Sequence, residues 1–164
     1  MIVVSDTTPL ISLMKLGAIN LIEGLYGEIL IPEAVYNELT CNNKFFEEAK
    51  IISESNFIKI VYVENKTEVQ MIQKYSGLDL GESEAIAYSQ QINADLLMMD
   101  EAKGRSVARQ VGLTTIGTLG ILKHAYDKGL LSKDEAINCV YILRKNHRHI
   151  DEGLLMTFLD SLGQ

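Results

Sequence analysis

Short runs of β-branched and aliphatic residues recur along this chain, and a longer segment of helical pattern follows each of them. Ile2-Val3-Val4, Glu28 to Ile31, Phe57 to Val63, Leu96 to Met99 and Thr114 to Ile116 are the short runs. They are too brief for helices and apolar enough for strands buried on both faces. Thr8-Pro9 offers a helix cap followed by proline at the first helical position. Leu10 to Leu25 then reads as one or two helices broken around Gly17, and Pro32-Glu33 opens another with an acid in its first turn. Helical patterns follow over 45–53, 67–75, 81–92, 101–111, 117–128, 133–144 and 154–162. Lys59 moves the third strand towards an edge. Strand and helix in alternation imply a parallel sheet covered by helices on both faces. In such folds the ligand crevice lies beyond the carboxyl ends of the strands.

The 164 residues suit one domain, read as a core over 1–130 with C-terminal helices over 131–164. Thr40 to Lys44 is the clearest loop, inside that domain. Hydrophobic residues at 47% against 23% charged place the chain among globular proteins, and no apolar run approaches the roughly 18 residues of a membrane span. The first six residues lack a basic leader region, and Cys41 and Cys139 have neither zinc spacing nor a disulfide framework. A cytoplasmic setting is therefore expected. A net charge of −7 argues against coating nucleic acid by bulk charge, but not against acids gathered round a cation.

Two acids fall where the crevice rule looks. Asp6 follows the first strand and Asp100 the fourth, so neighbouring central strands would bring both to one edge. At about 100° per residue, Glu38 projects between Ala34 and Val35, on the apolar stripe of its helix, while Glu33 points away. Glu82 shares a face with Ala85, Ile86 and Ser89, and Glu84 lies about 160° from it. Glu82 is the better placed of the two, and Glu84 stays open. A carboxylate on a buried stripe is unfavourable unless it is paired or binds a cation. Oxygen ligands of this kind suit Mg²⁺ or Mn²⁺, whose chemistry is to activate water and stabilise a phosphate during displacement.

Competing signatures are missing. There is no P-loop and no dinucleotide glycine motif after a strand, and Asp6-Thr7-Thr8 lacks the second aspartate of a haloacid-dehalogenase-type phosphatase. His124, His147 and His149 show no helical metal spacing. Arg144 to His149 is the one dense basic patch, read either as a solvated helix end or as a contact for RNA phosphates or an acidic partner.

Taken in order, Ile2 to Ile11, Ile31 to Leu39, Leu80 to Ala87 and Leu96 to Arg105 resemble the successive motifs of PIN-domain nucleases, over roughly residues 1 to 130. The stretches Gly81 to Ala87 and Ile116 to Leu122 are similar to a prokaryotic subgroup that itself resembles the VapC toxins of toxin–antitoxin pairs. This resemblance implies a three-layer α/β/α sandwich on a five-stranded, mainly parallel sheet, with a helical C-terminal extension. It also implies metal-dependent endoribonuclease action on single-stranded RNA. By position the catalytic acids are Asp6, Glu38, Glu82 (or Glu84) and Asp100, and Asp6, Glu82 and Asp100 hold Mg²⁺ or Mn²⁺. Glu38 positions or deprotonates the attacking water, and Thr8 orients the Asp6 carboxylate. Lys103 and Arg105 hold the scissile strand, or Arg105 braces the acids. The family's third acid is usually aspartate, so glutamate lengthens that arm by one methylene. A small antitoxin and a homodimer are the implied partners, with no membrane. The competing readings are a catalytically weak PIN-like binding module and a receiver-like or flavodoxin-like protein.

Overall fold

In the computed structural model, which describes residues 1–41, 46–146 and 150–163 (of Phe46 only the backbone), five strands form one sheet. They are β1 (Val3–Ser5), β2 (Ile29–Pro32), β3 (Ile58–Val61), β4 (Leu96–Met98) and β5 (Thr115–Ile116), in the spatial order β3-β2-β1-β4-β5. Every neighbouring pair is parallel. Each return to the same end of the sheet therefore needs a crossover, and the helices supply it. The strand bearing Lys59 is an edge, as its sequence suggests, and Lys59 and Ile60 stay exposed there.

The strand residues divide by alternation into two cores. Val3, Ile29, Ile31 and Met98 face one side, where α1 (Thr7–Lys15), α2 (Asn20–Tyr26), α3 (Glu33–Thr40), α4 (Phe46–Glu54) and α8 (Thr118–Asp127) contribute apolar side chains. Val4, Leu97 and Met99 face the other, with Ala85 and Ile86 of α6 (Leu80–Gln91) and Ala108 of α7 (Ala102–Gln110). Val63 and Val69, the latter on α5 (Lys66–Ser76), add a small cluster beside Ala87. The result is the expected three-layer α/β/α arrangement, with ten helices among the described residues. α9 (Lys133–Lys145) and α10 (Glu152–Ser161) put Ala136, Val140, Leu143, Leu155 and Phe158 into the first core, beside residues of α1.

One helix start differs from the sequence expectation. α1 begins at Thr7 with Asp6 in the N-cap position, so Thr8 is not the cap and Pro9 is the third helical residue. The shift is tolerated because the first N–H groups of a helix have no intrahelical partner, and proline removes one of those. The break near Gly17 is where the pattern puts it: Gly17 adopts φ +64°, and Ala18 N–H donates back to the Leu13 carbonyl. Of the expected 40–44 loop, residues 42–44 lie outside the described residues. Among the described residues no helix is long and apolar enough to cross a membrane.

Candidate active site

The carboxyl end of the central strand fixes the first acid. Asp6 continues β1 by one residue, and its N–H donates to the Met98 carbonyl at 3.0 Å. Its side chain is 3% exposed. Burial is the main cause that raises its pKa from 3.8 to about 7; the Thr7 N–H, donating to the carboxylate, opposes this, and Glu82, Asp79 and Glu38 add repulsion. All the charged groups acting on Asp6 are therefore of its own sign.

Two helices bring the others. Glu38, near the end of α3, accepts a hydrogen bond from Thr7 Oγ1 at 2.7 Å, which ties α3 to the residue after Asp6. Although the helical wheel puts it on the apolar stripe, Glu38 is exposed, because the stripe's edge opens into a cleft. α3 and α6 meet at Gly81, where a Cβ would stand at ordinary contact distance from Glu38 Oε2 (3.4 Å) and Val35 (3.5 Å). Asp79 and Glu82 form a reciprocal capping box at the start of α6. Asp79 Oδ1 accepts from Glu82 N–H at 2.8 Å, and Glu82 Oε2 accepts from Asp79 N–H at 3.1 Å. Glu82 is buried, and burial raises its pKa first; Asp79 and Glu101 raise it further, while the Asp79 N–H and Lys103 lower it.

These side chains line one cleft of about 370 Å³, together with Thr7, Thr8, Gly77, Leu78, Glu101 and Lys103. Lys103 Nζ reaches the Gly77 carbonyl at 3.4 Å across it. Asp6, Thr8, Glu38, Glu82 and Lys103 are thus brought together. Three other candidates sit elsewhere. Asp100 leaves the same sheet edge, but its carboxylate accepts from Thr118 N–H at 2.6 Å and Thr118 Oγ1 at 2.7 Å, and it is not among the cleft-lining residues. Arg105 lies near Gly117, with its Nε buried and unpartnered. Glu84 points to a different neighbour altogether, accepting from Ala34 N–H at 3.0 Å and Lys66 Nζ at 2.8 Å. His147 and His149 of the basic patch lie outside the described residues, and Arg144 pairs with Glu152 at 2.8 Å.

Thr7, Asp79 and Glu101 are the cleft residues with polar side chains that sequence reasoning passed over, beside Gly77 and Leu78. Asp79 had a usable signal, since Asp79-x-x-Glu82 has capping-box spacing. Gly104 is a further support. A Cβ there would come 2.5 Å from Met99 Sδ and 3.2 Å from Glu82 Oε1. Met99 is fully buried and has little room to yield. Gly104→Ala is accordingly expected to lower stability by about 1–3 kcal/mol, read by denaturant unfolding.

The donor set is all hard oxygen, the chemistry that suits Mg²⁺ or Mn²⁺. Among the described residues, however, no three His, Cys, Asp or Glu side chains are grouped closely enough to hold a metal ion. The fit is to an ion held by one or two carboxylates and otherwise by water, the usual habit of Mg²⁺. A buried carboxylate repelled by three neighbouring carboxylates is the observation that favours a cation there.

A parallel sheet with acids collected beyond the end of its central strand is thus established, and a family model described as PIN domain matches residues 2–164. The chain belongs to the PIN-domain family. The match takes in the C-terminal helices as well as the motif-bearing region. No curated protein and no solved structure matches the chain. Membership makes this PIN domain, at the coarse level, a nuclease-type hydrolase that acts on nucleic acid. It also displaces the receiver-like and flavodoxin-like readings.

Proposed function

We propose that this PIN-domain protein is an endoribonuclease for single-stranded RNA that depends on Mg²⁺ or Mn²⁺ and forms the toxin-like half of a toxin–antitoxin pair. The observation that carries the reading is the meeting of Asp6, Glu38 and Glu82, from three distant stretches of chain, in one cleft at the sheet's carboxyl edge. Asp6 and Glu82 would hold the cation, with water filling its other positions. A divalent ion there supplies positive charge to the phosphate and makes water more acidic.

Glu38, steadied by Thr7, orients the attacking water and takes its proton. The water oxygen bonds to phosphorus, one P–O bond breaks, and the departing oxygen takes up a proton from solvent. Lys103 holds a phosphate oxygen of the strand by charge, and Thr8 orients the Asp6 carboxylate. The proposal extends to a cytoplasmic protein, a homodimer and a small antitoxin as partner.

The test is hydrolysis of single-stranded RNA with Mn²⁺ and with excess chelator. Cleavage that chelator stops and Mn²⁺ restores is expected. Cleavage unaffected by chelator would remove the cation from the mechanism. A second reading, a PIN-like module that binds nucleic acid or protein with weak catalysis, draws on the loose grouping of the acids. It predicts RNA binding with no Mn²⁺-dependent hydrolysis.

A further inference from the structure

The turn from α5 to α6 forms one lip of the cleft, through Gly77, Leu78 and Asp79. Tyr75 lies in the last turn of α5, two residues before that lip begins, and it is 75% exposed. Leu80, the first residue of α6, is exposed at the other end of the same turn. The packing of α5 runs through Val69 and Ile72, beside Val63 and Ala87, and asks nothing of the Tyr75 ring.

Two cations gather at this turn from separate elements. Lys74 Nζ stands 5.8 Å from the centroid of the Tyr75 ring. Lys103 reaches over from α7 to the Gly77 carbonyl, and its Nζ lies 3.1 Å from where a Gly77 Cβ would stand. Among the described residues neither ammonium has a carboxylate within ion-pair distance. The other lysine set over a tyrosine, Lys123 at Tyr126, is by contrast paired with Asp127. Asp79, the acid of the turn, is directed into α6, where its Oδ1 caps the Glu82 N–H. An exposed ring beside two uncommitted ammonium groups is not the general character of a chain with net charge −7.

Such a grouping suits a single nucleic-acid strand, whose bases stack on an aromatic face while its phosphates meet the cations. A duplex has its bases stacked already and offers the ring no free face. We infer that Tyr75 is a base-stacking platform at the lip of the cleft, on which one base of a single-stranded RNA rests while Lys74 and Lys103 hold neighbouring phosphates. This rests on the RNA-cleaving reading above and names the element by which the cleft would prefer an unpaired strand. Every base has a π-face, so the platform selects single strands without selecting a sequence.

The test is a binding measurement with Mn²⁺ present, in a Glu38→Gln background so that the strand is not cut. Fluorescence anisotropy compares a short single-stranded RNA, an abasic ribose-phosphate strand of the same length and an RNA duplex. Tyr75→Ala is expected to raise the Kd of the base-bearing single strand at least about fivefold, and Tyr75→Phe to leave it within about twofold. The abasic strand and the duplex should bind the two variants and their background alike. Lys74→Gln should weaken all three ligands and flatten the dependence of binding on salt. Tyr75 is largely in water, so its replacement leaves the core intact. An unchanged Kd in Tyr75→Ala, or an equal loss for the abasic strand or the duplex, overturns the inference. So does self-association that Tyr75→Ala abolishes while RNA affinity holds, since the ring then meets protein. Base-dependent binding through Tyr75 in a protein without Mn²⁺-dependent hydrolysis keeps the platform and removes the nuclease reading. No binding of the single strand by the background protein overturns both.

Discussion

Asp6→Asn is expected to reduce RNA cleavage at least about 100-fold, the upper end of what loss of a metal ligand's supporting partner costs, and at the same time to make the cation-free protein more stable above neutral pH. The two effects share one cause. Asp6 is buried, and its pKa rises from 3.8 to about 7 because burial disfavours the charge and Glu82, Asp79 and Glu38 repel it. The folded protein therefore keeps a proton that the unfolded chain releases. As far as Asp6 is concerned, stability is fully present below pH 3.8 and is lost as pH rises through about 7. The difference amounts to something on the order of 4 kcal/mol of linkage at alkaline pH. Asparagine cannot ionise, so the variant lacks this loss. Urea unfolding at pH 4, 6 and 8 with chelator present checks it: the gap between variant and wild type should widen with pH. In the wild type a cation must displace the Asp6 proton, so Mn²⁺ affinity should climb as pH passes 7 and binding should release a proton. A pH-independent Mn²⁺ affinity would contradict the assignment of Asp6 as ligand.

Glu84→Ala should do the opposite, weakening the fold and sparing the cation. Glu84 is 3% exposed and accepts from the Ala34 N–H, one of the unpaired donors at the start of α3. Truncation leaves that amide without its acceptor where α3 meets α6. The lost bond to Lys66 matters less, because Lys66 is itself more than half exposed and returns to water. A loss of about 1–3 kcal/mol follows, measured as a lower denaturation midpoint at unchanged slope. Mn²⁺ affinity should stay within about threefold. Were affinity lost and stability kept, Glu84 and not Glu82 would be the third acid.

The architecture was legible because apolar runs as short as Val3–Ser5 and Leu96–Met98 alternate with helix-length patterns, and alternation of that kind leaves few topologies. Asp6 was legible for a related reason, standing one residue beyond a strand. The choice between Glu82 and Glu84 was not, since Gly81 through Ala87 are all buried and α6 has no outward face there by which to orient the wheel. Nor does a local pattern reveal that Asp100 is taken up by a residue 18 positions on. That contact arises from the pairing of β4 with β5 and from the side-chain room at Gly117. Glu101 carried no mark beyond following Asp100, and as an N-cap it would pass for a helix-starting acid. Thr8 as the expected cap shows the same weakness: proline marks a first turn without saying which of its positions it fills.

Asp6, Glu38, Asp79, Glu82 and Glu101 approach one another only after β2 has lain along β1 on one side and β4 along the other. A nascent chain still hidden beyond residue 95 has the first four acids but not β4, the strand that leads into Glu101. Any shorter product of synthesis or proteolysis that ends before that point therefore lacks the assembled cleft.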